Sequence, residues 1–85
     1  MTHPGLQDRA PDAATVTDYD RRNAVVYLRL LDAEAAGADW REVAQIVLGV
    51  DAIAELGRAG VMHRSHLDRA HWLRDSGYKD LLKSS

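Results

Sequence analysis

The chain of 85 residues contains no cysteine, which excludes disulfide staples, thiolate metal sites and a cysteine nucleophile. No apolar run approaches the roughly 20 residues that a membrane span needs. Met1-Thr2-His3-Pro4-Gly5 lacks the basic-then-apolar build of a signal peptide, so a cytoplasmic location is expected. A basic excess is missing too. The net charge is −2, and the acidic side chains outnumber the basic ones by ten to five in residues 1–57. Residues 58–85 reverse this, with six basic and three acidic. Proteins that bind nucleic acid usually carry a strong basic footprint, because counterion release from phosphates supplies most of their affinity. Also absent are a glycine-rich phosphate loop, a nucleophile motif and a carboxylate pair: Asp32 and Glu34 lie two apart on a helix and diverge. The expectation is a protein that is not an enzyme and has no cofactor.

What the sequence does have is helical patterning, with no strand-like alternation and no internal repeat. It predicts an all-α domain of four to five helices, a helix-turn-helix variant with an extended turn. Both prolines, Pro4 and Pro11, fall in residues 1–16, which show no periodicity and read as a flexible N-terminal arm before a domain over 17–85.

A first helix is expected from about Asp18 to Ala36, capped by Thr17 or Asp18 and ended by Gly37. At 100° per residue, Ala24, Tyr27, Leu28, Leu31 and Ala35 form its core face. Tyr19, Val26, Leu30 and Ala33 form a second apolar stripe, expected to face outward as a surface for a protein partner. A second helix begins at Asp39, whose carboxylate is expected to accept from the Glu42 amide while Glu42 reaches back. Trp40, Val43, Ala44 and Val47 line one face and Gly49 closes it, so this helix is expected to be buried against several neighbours. One or two turns capped by Asp51 and ended by Gly57 and Gly60 should follow, then a long helix from about Val61 to Asp75 with Leu67, Ala70 and Leu73 inward. Gly77 would stop it, with Tyr78 folding back on Leu73 and Leu81-Leu82 adding a final turn.

The order of capped helix, Ala44, Gly49 and a further amphipathic helix is that of a helix-turn-helix. The turn would be longer than usual, by about a dozen residues, if the last helix starts near Val61. On that helix Arg64, Arg69 and Arg74 are the candidate DNA contacts. Asp68 sits among them, where a carboxylate repels phosphate, and Trp72 suits a protein contact better than groove reading. His63, His66 and His71 have no cysteine or supporting carboxylate converging on them, so they read as packing residues and no metal site is expected.

Three segments together resemble one family: Tyr27-Leu28-Arg29-Leu30-Leu31-Asp32-Ala33, Ala36-Gly37-Ala38-Asp39-Trp40-Arg41-Glu42-Val43-Ala44 through Gly49, and Ser76-Gly77-Tyr78-Lys79-Asp80-Leu81-Leu82. It is the extended-turn helix-turn-helix domain of proteobacterial mobile elements, catalogued as a domain of unknown function, and the resemblance covers about residues 24–83. Its members include transcriptional activators of conjugative transfer and stand-alone antiactivators. DNA-binding members carry an arginine-rich stretch corresponding to about Met62–Arg74, which Met62, His63, His66, Asp68 and His71 interrupt here. The resemblance implies an antiactivator that binds a two-domain transcriptional activator of conjugative-element transfer, with a LuxR-type quorum-sensing activator as a second candidate partner. Tyr19, Val26, Leu30, Ala33 and Trp72 are the expected contact residues. The alternative is a weak sequence-specific DNA-binding regulator using Arg64, Arg69 and Arg74.

Overall fold

The computed structural model describes residues 6–77. The expected contacts of Tyr78, Leu81 and Leu82 lie outside that range. Four helices and no strand occur among the described residues: α1 (Asp18–Arg22), α2 (Ala24–Ala35), α3 (Trp40–Val43, continued by a π-helical turn Ala44–Leu48) and α4 (Leu56–Trp72, continued by a π-helical turn Leu73–Gly77). None of them is long and apolar enough to cross a membrane.

Thr17 starts α1 with a reciprocal cap. Its hydroxyl accepts from the Asp20 amide at 3.2 Å, and the Asp20 carboxylate accepts from the Thr17 amide at 2.9 Å. The expected single first helix is instead two. Asn23 leaves the helical region at φ −110° and ψ 21°, and its side-chain amide donates to the Tyr19 carbonyl at 2.9 Å. A buried asparagine that bonds the backbone competes with the helical ladder, and the chain breaks there.

This break accompanies a correction to the core. The inward face of α2 runs through Asn23, Val26, Tyr27 and Leu30, the i, i+3, i+4, i+7 pattern of one helix side. Tyr19 (6% exposed), Val26 and Leu30 (1%) are therefore core residues, and Ala33 packs against them half-buried. The stripe expected to meet a partner faces inward. Of the expected core face only Tyr27 is buried and Leu31 half-buried, while Ala24, Leu28 (60%) and Ala35 face solvent. The wheel failed because the true face begins with a polar residue, Asn23, and combines members of both apolar stripes.

Asp39 caps α3 by accepting from the Arg41 amide at 2.8 Å, one residue earlier than expected. Val43, Ala44, Val47 and Leu48 are buried and Trp40 half-buried, whereas Ile46 stands in solvent, so α3 is less enclosed than its composition suggested. Gly49 ends the π turn in the left-handed region at φ 72°, where a side chain is strained.

The segment after Gly49 carries the second correction. Asp51 accepts from the amides of Ile53 and Ala54 at 2.9 and 3.0 Å, and this turn leads directly into α4 at Leu56. Gly57 and Gly60 lie inside the helix instead of ending a short one. A glycine weakens a helix interior but does not stop it, and at Gly60 the bare backbone faces the Trp40 ring. The connection between α3 and α4 is thus residues 49–55, shorter than the extended turn expected. Ala59, Met62, His66, Arg69 and Ala70 are the buried side of α4, which packs on α2 and α3.

Candidate nucleic-acid interface

With α4 fixed by its buried side, the opposite face is set by geometry: Gly57, Val61, Arg64 and Asp68 point outward. A groove between α3 and α4 borders this face, lined by Trp40, Arg41, Leu56, Val61, His63 and Arg64. Arg41 lies over the Trp40 ring at 5.4 Å and remains exposed. Trp40 also meets the His63 ring at 5.8 Å, which holds the start of α3 against the middle of α4.

The three arginines expected to meet DNA have different fates. Arg64 is exposed on the outward face. Arg74 is exposed and paired with Asp75 at 2.9 Å. Arg69 points the other way and is only 5% exposed, donating to the Asp20 carboxylate from Nη2 at 2.6 Å and from Nε at 3.1 Å. Its remaining donors reach the carbonyls of Ala13 at 2.6 Å and Thr15 at 2.8 Å. A guanidinium so fully engaged in a buried network is structural, so Arg69 is withdrawn as a DNA contact. Trp72 lies half-buried under it, 4.1 Å from the guanidinium carbon to the ring centre.

Asp20 is the hub of this network. Burial pushes its carboxyl up, but Arg69, the Thr17 amide and the Tyr27 hydroxyl (donating at 2.8 Å) outweigh this and hold it below its ordinary value. Burial and the Asp20 charge together push the Tyr27 phenol well up. His66 is fully buried beside it. Its Nδ1 lies 2.7 Å from the Met62 carbonyl, which can only accept, so Nδ1 carries the proton and Nε2 accepts from Tyr19 Oη at 2.6 Å. Burial keeps the His66 imidazole neutral by lowering its pKa, and burial lowers His63 in the same direction. His71 instead sits at the surface 2.6 Å from Glu34. Among the described residues no three His, Asp or Glu side chains converge as a metal site would require.

Residues 6–16 carry no helix, yet they lie along one flank of α4. The Gln7 amide donates to Tyr19 Oη at 3.0 Å, Asp8 pairs with Arg58 at 2.9 Å, and the Ala10 amide donates to Ser65 Oγ at 3.0 Å. Arg41, Arg58 and this flanking segment are the surface features that the sequence reading missed. Arg41 was legible only as a polar residue on a helix otherwise read as buried, and the contacts of the segment span 50 or more positions for Asp8 and Ala10, which no local pattern encodes.

Compared with known protein families, residues 3–83 match one described as "T6SS, Transcription factor, DNA binding domain", the RovC DNA-binding domain. That description names a DNA-binding transcription factor, where the sequence resemblance had pointed to a mobile-element domain of unknown function. A search of curated proteins finds no match. Helix-turn-helix order, an all-α fold and a match over nearly the whole chain agree, and the chain belongs to this family of transcription-factor DNA-binding domains.

Proposed function

We propose that this chain regulates transcription, without enzymatic activity, by placing the outward face of α4 on DNA. Arg64 is the side chain that would read a base edge or clamp a phosphate, and Arg41 at the start of α3 would hold the flanking backbone. The observation that supports this most directly is the position of Arg64. It stands exposed in the middle of the outer face of the helix that follows α3 after a connection of residues 49–55. The family description favours the same reading over antiactivation. Binding should be weak, because a net charge of −2 and Asp68 on the same face oppose phosphate. Selection from a random duplex library tests it: a recurrent sequence motif is expected, and recovery of unenriched sequence would count against it.

A second reading is favoured by a separate observation. Ile53 is 88% exposed, and Leu56 and Val61 are also open beside the same face. Apolar side chains at that place suit a protein partner. On this reading the chain is an antiactivator that occupies a transcriptional activator of conjugative-element transfer, or a LuxR-type activator, while its DNA contacts stay weak. Capture of such an activator by the wild-type chain, lost in an Ile53→Asp/Val61→Asp variant that still folds, would establish it over the first.

A further inference from the structure

The segment before α1 lies where DNA would have to go. Its contacts with α4 run from the first turn of the helix to the last: Asp8 on Arg58, the Ala10 amide on Ser65, and the carbonyls of Ala13 and Thr15 on Arg69. Arg9, Pro11, Asp12 and Ala13 wall a shallow cleft whose other side is Ser65, Asp68, Arg69 and Trp72. This flank runs between the outward face of α4, which it reaches at Asp68, and the buried side, which it reaches at Arg69.

A helix with its side chains is about 10–12 Å across and the B-DNA major groove is about 12 Å wide. A helix alone fills the groove, and a second layer of backbone on its flank has no room to enter with it. The obstruction is also electrostatic. Asp8 and Asp12 place carboxylates beside the path of the phosphates, and Asp8 with Glu55 already engages the Arg58 guanidinium that phosphate would attract. From these observations we infer that residues 6–12 form an autoinhibitory strap, which must leave the flank of α4 before that helix can seat in a major groove. The inference rests on the DNA-contacting reading of α4. The strap lowers apparent affinity by the fraction of molecules in which it is open. Its contacts are one exposed ion pair from Asp8, single part-buried hydrogen bonds from the Gln7 and Ala10 amides, and Leu6 half-buried against the core. The polar contacts are individually weak, and opening takes only Leu6 from the edge of the core. The inner anchor at Ala13 and Thr15, tied to the buried Arg69, stays in place and acts as the hinge.

The test uses the full chain, and the absence of cysteine makes it clean. In an Ala10→Cys/Ser65→Cys variant, oxidation ties the strap down and reduction frees it. In Asp8→Ala/Ala10→Pro the ion pair and the amide donor to Ser65 are removed within the strap alone. Each is titrated by fluorescence anisotropy against a random-sequence duplex at low salt. The strap predicts that oxidation weakens binding about tenfold or more, that reduction restores it, and that the opening variant binds about three- to tenfold tighter than wild type. Equal affinity in locked, reduced and opened forms overturns the strap and leaves the DNA-contacting reading standing. Binding by none of them, with circular dichroism showing folded protein, overturns both.

Discussion

Replacing Asp20 by asparagine keeps the shape of the side chain and removes its charge. Arg69, with 5% of its surface exposed, then faces an amide instead of a carboxylate and keeps a charge it cannot shed. Breaking one partner of a buried ion pair costs about 3–5 kcal/mol. A domain of this size is expected to be stable by about 4–13 kcal/mol, so the substitution removes a large part of the total. At about 4–8 °C per kcal/mol the melting temperature should fall by at least about 12 °C. Urea denaturation at pH 7, followed by tryptophan emission, measures it. Trp72 lies under Arg69, so its fluorescence also reports the local environment of the pair. An Asp20→Asn/Arg69→Met double variant should be more stable than Asp20→Asn alone, because it removes the orphaned charge as well. The wild type should also lose this contribution in acid. The Asp20 carboxyl is held below its ordinary value in the fold, so the stability it gives is full above about pH 4 and disappears as the pH falls through the folded-state value. Asp20→Asn should lack that acid-dependent loss. A destabilisation below about 1 kcal/mol at pH 7 would refute the view that this pair anchors the domain.

Three further predictions concern the core and the helix starts. Leu30→Ala should cost about 2–5 kcal/mol and Leu28→Ala less than about 0.5 in the same urea titration, and the reverse order would restore the core face first read from the sequence. Because burial depresses the His66 pKa, the unfolded chain takes up protons first, and stability should fall as the pH drops below about 6.5. Urea midpoints at pH 7.5 and 5.5 should therefore differ, by less in a folded His66→Gln variant, with the remainder from His63. Gly57→Ala should stabilise by about 0.4–1 kcal/mol, since nothing lies within 4 Å of the added methyl and the site is helical; a lower melting temperature would contradict that placement.

The all-α fold, the cap at Thr17, the stop at Gly49 and the burial of Val43, Ala44 and Val47 were all legible in the sequence, because capping and periodicity are local. The reading went wrong where a polar residue serves the interior. Asn23 bonds backbone and breaks the first helix, and Asp20 and His66 sit deep in the core bonded to Arg69 and Tyr19, 49 and 47 positions away. A hydrophobic wheel scores such residues as surface and so turned α2 outside in. Gly57 and Gly60 misled in the opposite way, read as stops although their neighbours carry the helix through. At the site, Arg64 is exposed on the outer face of α4. Arg69 was not separable from it, because its partner Asp20 lies 49 positions earlier.

The central claim, that the outer face of α4 contacts DNA through Arg64, is tested most directly by the salt dependence of binding. A duplex recovered by selection is titrated from 50 to 200 mM salt with the wild type and with Arg64→Ala. With Arg41 and Arg64 as the phosphate-side contacts the slope of log K against log salt should be about −2, shallow for a DNA-binding domain. Arg64→Ala should weaken binding by about 1–3 kcal/mol if it reads a base, or reduce the slope by about one if it meets a phosphate. Identical affinity and slope for the two proteins would contradict the claim.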